Sequence, residues 1–134
     1  MSSEKQPFHD KNSEDALLRQ YVDDISRYPR LTEDEERTLS VEILRGSEEA
    51  KEKLVRSNLM FVVSIARLYA SPGVDMLDLV NEGNIAMIKA ASRFDATKGK
   101  RFTQYAVWDI KRAMEAYLPD DRHGVRRGSA DHLA

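Results

Sequence analysis

The sequence predicts an all-α protein: a compact multi-helix domain over residues 13–118, with loose tails at 1–12 and 119–134. Apolar residues recur at the three-and-four spacing of helices, and no stretch alternates apolar with polar as a half-buried strand does. Helix start and stop signals punctuate the chain at short intervals. With 33% charged and 41% hydrophobic residues, the 134-residue chain has the composition of a soluble domain with one modest core.

Ser13 is positioned to cap a first helix, on which Leu17, Leu18, Tyr21, Val22 and Ile25 form an apolar stripe. Tyr28 precedes Pro29 and is pushed out of helical geometry, which ends that helix. Thr32-Glu33-Asp34-Glu35 is a capping box, in which the Thr32 hydroxyl accepts the Glu35 amide proton and the Glu35 carboxylate reaches back. The helix it opens runs to Arg45, and Gly46 is a left-handed terminator. Ser47 starts another helix, with Glu48 and Glu49 where the helix dipole favours acids. It leads into NLMFVVSIARLYA, apolar almost all round and expected to be the central buried helix. Ser71-Pro72-Gly73 is a stop. From Asp75, MLDLVNEGNIAMIKAASRF reads as a helix, with Leu77, Val80, Ile85, Ile88 and Ala91 available for one side. Gly83 in its interior costs about 1 kcal/mol relative to Ala, so something needs its small size. Asp95 to Lys100 is a basic turn, and Thr103 is expected to cap a last helix, QYAVWDIKRAMEAY, closed by Pro119.

The net charge of −2 conceals an asymmetry. Residues 1–54 carry 14 acidic and 9 basic groups, whereas residues 93–112 carry six basic groups against Asp95 and Asp109. A local positive patch on an acidic chain fits either a polyanion partner or a solvated helix face. No run reaches the roughly 18 apolar residues of a membrane span, and the N-terminus has no apolar signal core, so a cytoplasmic location without a membrane partner is expected. The chain has no cysteine, and His9, His123 and His132 fall in tail-like sequence. Acidic residues show no metal-ligand clustering, and neither a glycine-rich phosphate loop nor a nucleophile elbow occurs. No catalytic residue, metal or cofactor is expected, and the chain reads as no enzyme.

The segment RFTQYAVWDIKRAM is the most informative. Phe102, Tyr105 and Trp108 stand three apart, at a spacing expected to put them on one helix face, interleaved with Arg101, Lys111 and Arg112. Rings stack on unpaired bases and cations hold phosphates, which is the chemistry of single-strand nucleic-acid binding. The same triplet is equally compatible with plain core packing.

DMLDLVNEGNIAMIKAASRFD followed by KGKRFTQYAVWDIKRAM closely resembles region two of the sigma-70 family of RNA polymerase sigma factors. NLMFVVSIARLYA is similar to the family's preceding helix, and LLRQYVDDISRYPRLTEDEE to the segment just before region two, so the resemblance covers roughly residues 15–117. It implies a region-two-like helical domain that binds core RNA polymerase at the coiled coil of the largest-subunit clamp. Asp78, Asn81, Glu82, Asn84 and Ile88 match the docking positions, and Gly83 is expected to be small because the partner helix approaches there. The resemblance also implies capture of flipped bases from the non-template strand of the promoter's minus-ten element. Phe102, Gln104, Tyr105 and Trp108 match that surface, with Asn58, Lys98 and Arg101 beside it and Lys111 and Arg112 suited to phosphates upstream.

Three departures stand out. Asp109 replaces a second aromatic common after the tryptophan, and its carboxylate is expected to repel phosphate. Lys100 stands where an aromatic is frequent, and Glu115 where a small polar residue is usual. The last 17 residues leave no room for the family's helix-turn-helix, so the expectation is a minimal or split sigma factor that recognises and melts the minus-ten element. A second polypeptide would supply upstream recognition. The alternative is a non-initiating regulator that occupies the clamp and excludes other sigma factors.

Overall fold

The computed structural model describes residues 11–119, with side chains from Asp15 onward. His9, His123, His132 and all but the inner edges of the expected tails lie outside the described residues. Among the described residues the helices are α1 (Lys11–Ile25), α2 (Glu33–Leu44), α3 (Glu48–Arg56), α4 (Leu59–Ala66), α5 (Met76–Arg93) and α6 (Phe102–Tyr117). Single 3-10 turns follow α4 at Arg67–Tyr69 and α5 at Ala96–Lys98. No described helix is long and apolar enough to cross a membrane.

Local capping signals produce most of these boundaries. At α2 the Glu35 amide donates to Thr32 Oγ1 at 3.1 Å, and the Thr32 amide donates to Glu35 Oε1 at 2.8 Å, which completes the capping box. The other end closes as a Schellman motif: Gly46 takes φ +99°, its amide donates to the Ile43 carbonyl, and the Ser47 amide donates to the Glu42 carbonyl. Ser47 caps α3 through the Ala50 amide at 3.0 Å, and Asp75 caps α5 through the Leu77 and Asp78 amides at 3.1 and 3.2 Å. Helix α1 begins at Lys11, so Ser13 lies inside the helix instead of capping it. Ile25 is buried on its inner face and Tyr21 and Val22 are half-buried, but Leu17 stays 59% exposed, outside the expected stripe.

NLMFVVSIARLYA is not the fully buried central helix expected of it. Ser57 and Asn58 break the chain between α3 and α4. Val62, Val63, Ile65 and Ala66 are buried, while Leu59, Met60 and Phe61 are half-covered and Leu68 is 69% exposed. The centre is instead the antiparallel α5–α6 pair, whose contact is the most extensive among the described helices. Leu79, Val80, Gly83, Met87, Ala90 and Ala91 form the inner face of α5, and Phe102, Ala106, Ile110, Met114 and Leu118 form the matching row at and beyond α6. The α5 stripe expected from sequence is therefore corrected: Val80 and Ala91 are core, whereas Ile85 and Ile88 are 43% and 41% exposed.

Gly83 is small for an internal reason. A Cβ there would lie 2.5 Å from Met114 Cε, 2.8 Å from Val62 Cγ1 and 3.3 Å from Ile110 Cγ2. The close approach thus comes from α6 and α4, not from an outside helix.

The start of α6 is held from a distance. Glu36 of α2 is 5% exposed, and its carboxylate accepts from the Phe102 amide at 3.1 Å and from Arg101 Nε and Nη2 at 3.0 and 3.3 Å. A carboxylate at a helix N-terminus is favoured by the dipole and satisfies an amide that has no partner within the helix. Thr103, expected as the cap, falls in the first turn because Glu36 already fills that role; Gln104 Oε1 adds a bond from the Arg101 amide at 3.0 Å. One turn along α2, buried Ser40 donates to the Phe94 carbonyl and accepts the Ala96 amide, both at 3.0 Å. Helix α2 thereby clips both sides of the link between α5 and α6.

Gly83→Ala is expected to lower stability by about 1 kcal/mol, because overpacking against Val62 outweighs alanine's helix propensity. Urea unfolding with an unchanged slope checks it. Glu36→Ala is expected to cost about 1–3 kcal/mol by leaving the Phe102 amide buried without an acceptor. Glu36→Gln, which retains a carbonyl oxygen, should cost less in the same titration.

Candidate functional site

The outward side of α6 carries Gln104, Trp108, Lys111 and Arg112, opposite its buried row. Each three-residue step turns a helix about 60° short of a full circle, so Phe102, Tyr105 and Trp108 spiral instead of sharing a face. Phe102 is fully buried, with its ring edge-on to Phe94 at 5.3 Å and 72°. Tyr105 is half-buried against the same Phe94 at 5.6 Å, and Trp108 is 62% exposed. As packed, the Phe102 ring has no face open for stacking, which corrects the expectation that all three aromatics share one platform. Trp108 stands outward, with Lys111 Nζ 5.2 Å above its ring, a cation–π arrangement.

The basic run is organised by carboxylates. Arg101 pairs with Glu36 and also donates to the Leu31 carbonyl at 3.0 Å; Glu36 raises the guanidinium's already high pKa, so its charge is permanent. Asp109 lies between two arginines, accepting from Arg93 Nη2 at 3.1 Å and from Arg112 Nη2. Its charge is thus held by two cations and does not stand bare on the surface. Glu115, another of the departures, accepts the Tyr69 hydroxyl at 2.8 Å and ties α6 to the turn after α4. Lys98 and Lys100 are exposed around Gly99, in the turn that Asp95 opens. The Thr97 hydroxyl and then its amide hold the Asp95 carboxyl below its ordinary value.

Beside the start of α6 lies a cleft of about 560 Å³. Its walls are the α1–α2 linker (Tyr28, Arg30, Leu31), the α3–α4 junction (Arg56, Asn58, Met60, Phe61) and Glu36, Arg101 and Thr103. Asn58 reaches this wall although it is 7% exposed, with its amide donating to the Leu54 carbonyl at 2.8 Å. Arg56 lies 5.5 Å from the centre of the Tyr28 ring. Arg30, Arg56 and Tyr28 were not singled out in the sequence, because they stand in an acidic half where no basic run marks them. Arg93 was seen only as part of that run, not as a site residue. The cleft is of ligand-binding size and joins cations, an aromatic ring and a buried amide.

On α5, Asp78, Asn81, Ile85 and Ile88 form one exposed row with Glu82 half-buried beside it. The row ends at a shallow cleft of about 220 Å³ between Ile88, Val55 and the acidic side of α3. Tyr117 of α6 donates to Asp78 Oδ2 at 3.2 Å, and burial followed by the Asp78 charge raises its phenol pKa, which keeps it protonated as a donor. Asn84 turns away from the row. Its Nδ2 donates to the Tyr21 hydroxyl at 3.1 Å and its Oδ1 is buried, so it joins α5 to α1. Ile85, read from sequence as part of the core stripe, is an apolar member of this exposed row.

Two family descriptions match the chain: Sigma-70 region 2 over residues 54–123, and Sigma-70 factor, region 1.2, over residues 17–49. The RNA polymerase sigma factor SigA of a Bacillus species is 42% identical over 109 residues, 81% of this chain and 29% of that protein. SigA of Lactococcus lactis subsp. cremoris is 41% identical over 115 residues, 84% of this chain and 32% of that protein. SigA of Clostridium acetobutylicum is 39% identical over 112 residues, 84% of this chain and 30% of that protein. The chain therefore spans about a third or less of the length of these curated relatives. These matches show that the chain belongs to the sigma-70 family, and its all-helical described fold agrees with them.

Proposed function

We propose that the chain docks on the clamp coiled coil of core RNA polymerase through the exposed row of α5. In that complex it engages the non-template strand of the minus-ten element through α6 and the adjoining cleft. The observation that carries the reading is the division of labour between the two central helices. They bury their facing sides against each other and present an acidic and isoleucine row on one and an aromatic and basic surface on the other. Trp108 supports stacking on an unpaired base, and the cleft lined by Asn58, Arg56 and Arg101 has room for a base taken out of the stack. Catalysis in such a complex belongs to the polymerase, and the reading places the chain in the cytoplasm.

A second reading, a sigma-like regulator that occupies the clamp without opening promoters, is favoured by Asp109, which replaces an aromatic and engages two arginines of the basic surface. Run-off transcription with purified core polymerase, on closed and on previously melted promoters, separates the two. Opening of closed duplex marks an initiator. Activity on melted templates alone marks a split factor that depends on a second polypeptide, and inhibition on both marks a regulator that excludes other sigma factors.

Glu82→Lys is expected to weaken binding to core polymerase at least tenfold, by setting like charge against a basic partner surface. A titration with unchanged affinity overturns the docking assignment. Trp108→Ala is expected to leave stability within about 0.5 kcal/mol, as suits an exposed side chain, yet to abolish permanganate reactivity of thymines near the start site. Phe102→Ala, by contrast, should cost about 3–5 kcal/mol in thermal unfolding.

A further inference from the structure

Arg93 ends α5, Arg112 stands near the end of α6, and the carboxylate of Asp109 sits between them. Arg93 is fixed independently, because its Nη1 donates to the Lys89 carbonyl at 3.2 Å while Nη2 faces Asp109. Both arginine side chains are more than half exposed, at 57% and 69%, whereas Asp109 is 28% exposed. Trp108 and Lys111 adjoin the trio on the same helix. Two guanidinium groups converging on one oxyanion form the fork that recognises a phosphate as readily as a carboxylate.

We propose that Asp109 is a built-in stand-in for a nucleic-acid phosphate: its carboxylate fills the seat between Arg93 and Arg112 in the free chain, and a backbone phosphate takes that seat on binding. The inference rests on the α6 surface meeting DNA, and it adds Arg93, from the other helix, as a phosphate contact. It also assigns Asp109 the role of holding down the affinity of the free chain. The exchange is reversible and breaks no covalent bond. A phosphate that enters must displace the carboxylate, which rotates into solvent but keeps its charge beside the DNA, so little counterion is released in net. With asparagine at position 109 no carboxylate is set free, and the seated phosphate releases its counterion in full.

The test uses the whole chain and a forked DNA, a duplex joined to single strands, titrated from 50 to 200 mM salt. Asp109→Asn is expected to bind more tightly than the parent at 50 mM salt. Its affinity should fall about threefold further than the parent's across that range, since one seated phosphate with no competing carboxylate steepens the log–log salt slope by about 0.7–0.9. Glu49→Gln, which raises the net charge by the same unit and frees no arginine, should reproduce neither change. Arg93→Ala in the Asp109→Asn background should return about half of the added slope. An unchanged slope, weaker binding by Asp109→Asn, or an equal gain from Glu49→Gln overturns the stand-in. If Lys111→Ala still weakens binding in that case, the DNA-facing reading of α6 survives; if no variant binds the fork even at 50 mM salt, the stand-in falls, and the reading of α6 within the polymerase complex is decided by the run-off assay.

Discussion

Glu36 carries a negative charge into a nearly closed position, and the geometry around it explains why this is tolerated. A buried carboxylate is costly unless donors surround it. Here the Phe102 amide and two guanidinium nitrogens of Arg101 supply them, and the dipole of α6 adds its positive end. Because Arg101 also grips the Leu31 carbonyl, the same few atoms fix the α1–α2 linker, the inner face of α2 and the first turn of α6. The cleft beside α6 has its shape because these three parts meet there, and the outward direction of Trp108 follows from how the helix begins. Ser40, one turn along, stops the α5–α6 link from drifting.

What the sequence revealed and what it hid divide along the range of the interactions. Thr32 with Glu35, Gly46, Ser47 and Asp75 act on amides or carbonyls within a few residues, so their patterns are legible in the chain itself. The cap of α6 is supplied across 66 residues, and Thr103 looked like a cap only because nothing nearby pointed to Glu36. Spacing by three similarly promised a common face for Phe102, Tyr105 and Trp108; the 60° lag at each step carries them from core to surface instead. On α5, Ile85 and Ile88 are as apolar as Val80 and Ala91, and only the position of α6 decides which are covered. Asp78, Asn81 and Ile88, matched from sequence to docking positions, do lie on one exposed row, but Asn84 does not, since its turn toward Tyr21 depends on where α1 packs. Gly83 was recognised as a residue that had to be small, although the reason lies inside the domain.

Charge behaves in the same way. A count along residues 93–112 shows a positive segment, but the folded surface is set by pairing. Arg101 is engaged by Glu36, and Arg93 and Arg112 by Asp109, while the lysines at 98, 100 and 111 remain the looser cations. A linear count therefore overstates how much positive charge the free chain offers a polyanion, and where. The arginines are structural and electrostatic at once, which fits the rigid fork of a guanidinium better than the single point charge of a lysine.

Trp108 is the sole tryptophan in the sequence, and it sits at the surface under an ammonium group. Its fluorescence is consequently a reporter of one spot, free of background from any other indole. Since the ring is already largely in water, unfolding changes its emission colour little. The approach of a base or the departure of Lys111 alters its brightness directly. In most proteins an indole reports the condition of the core; here the optical signal comes from the outward face of α6.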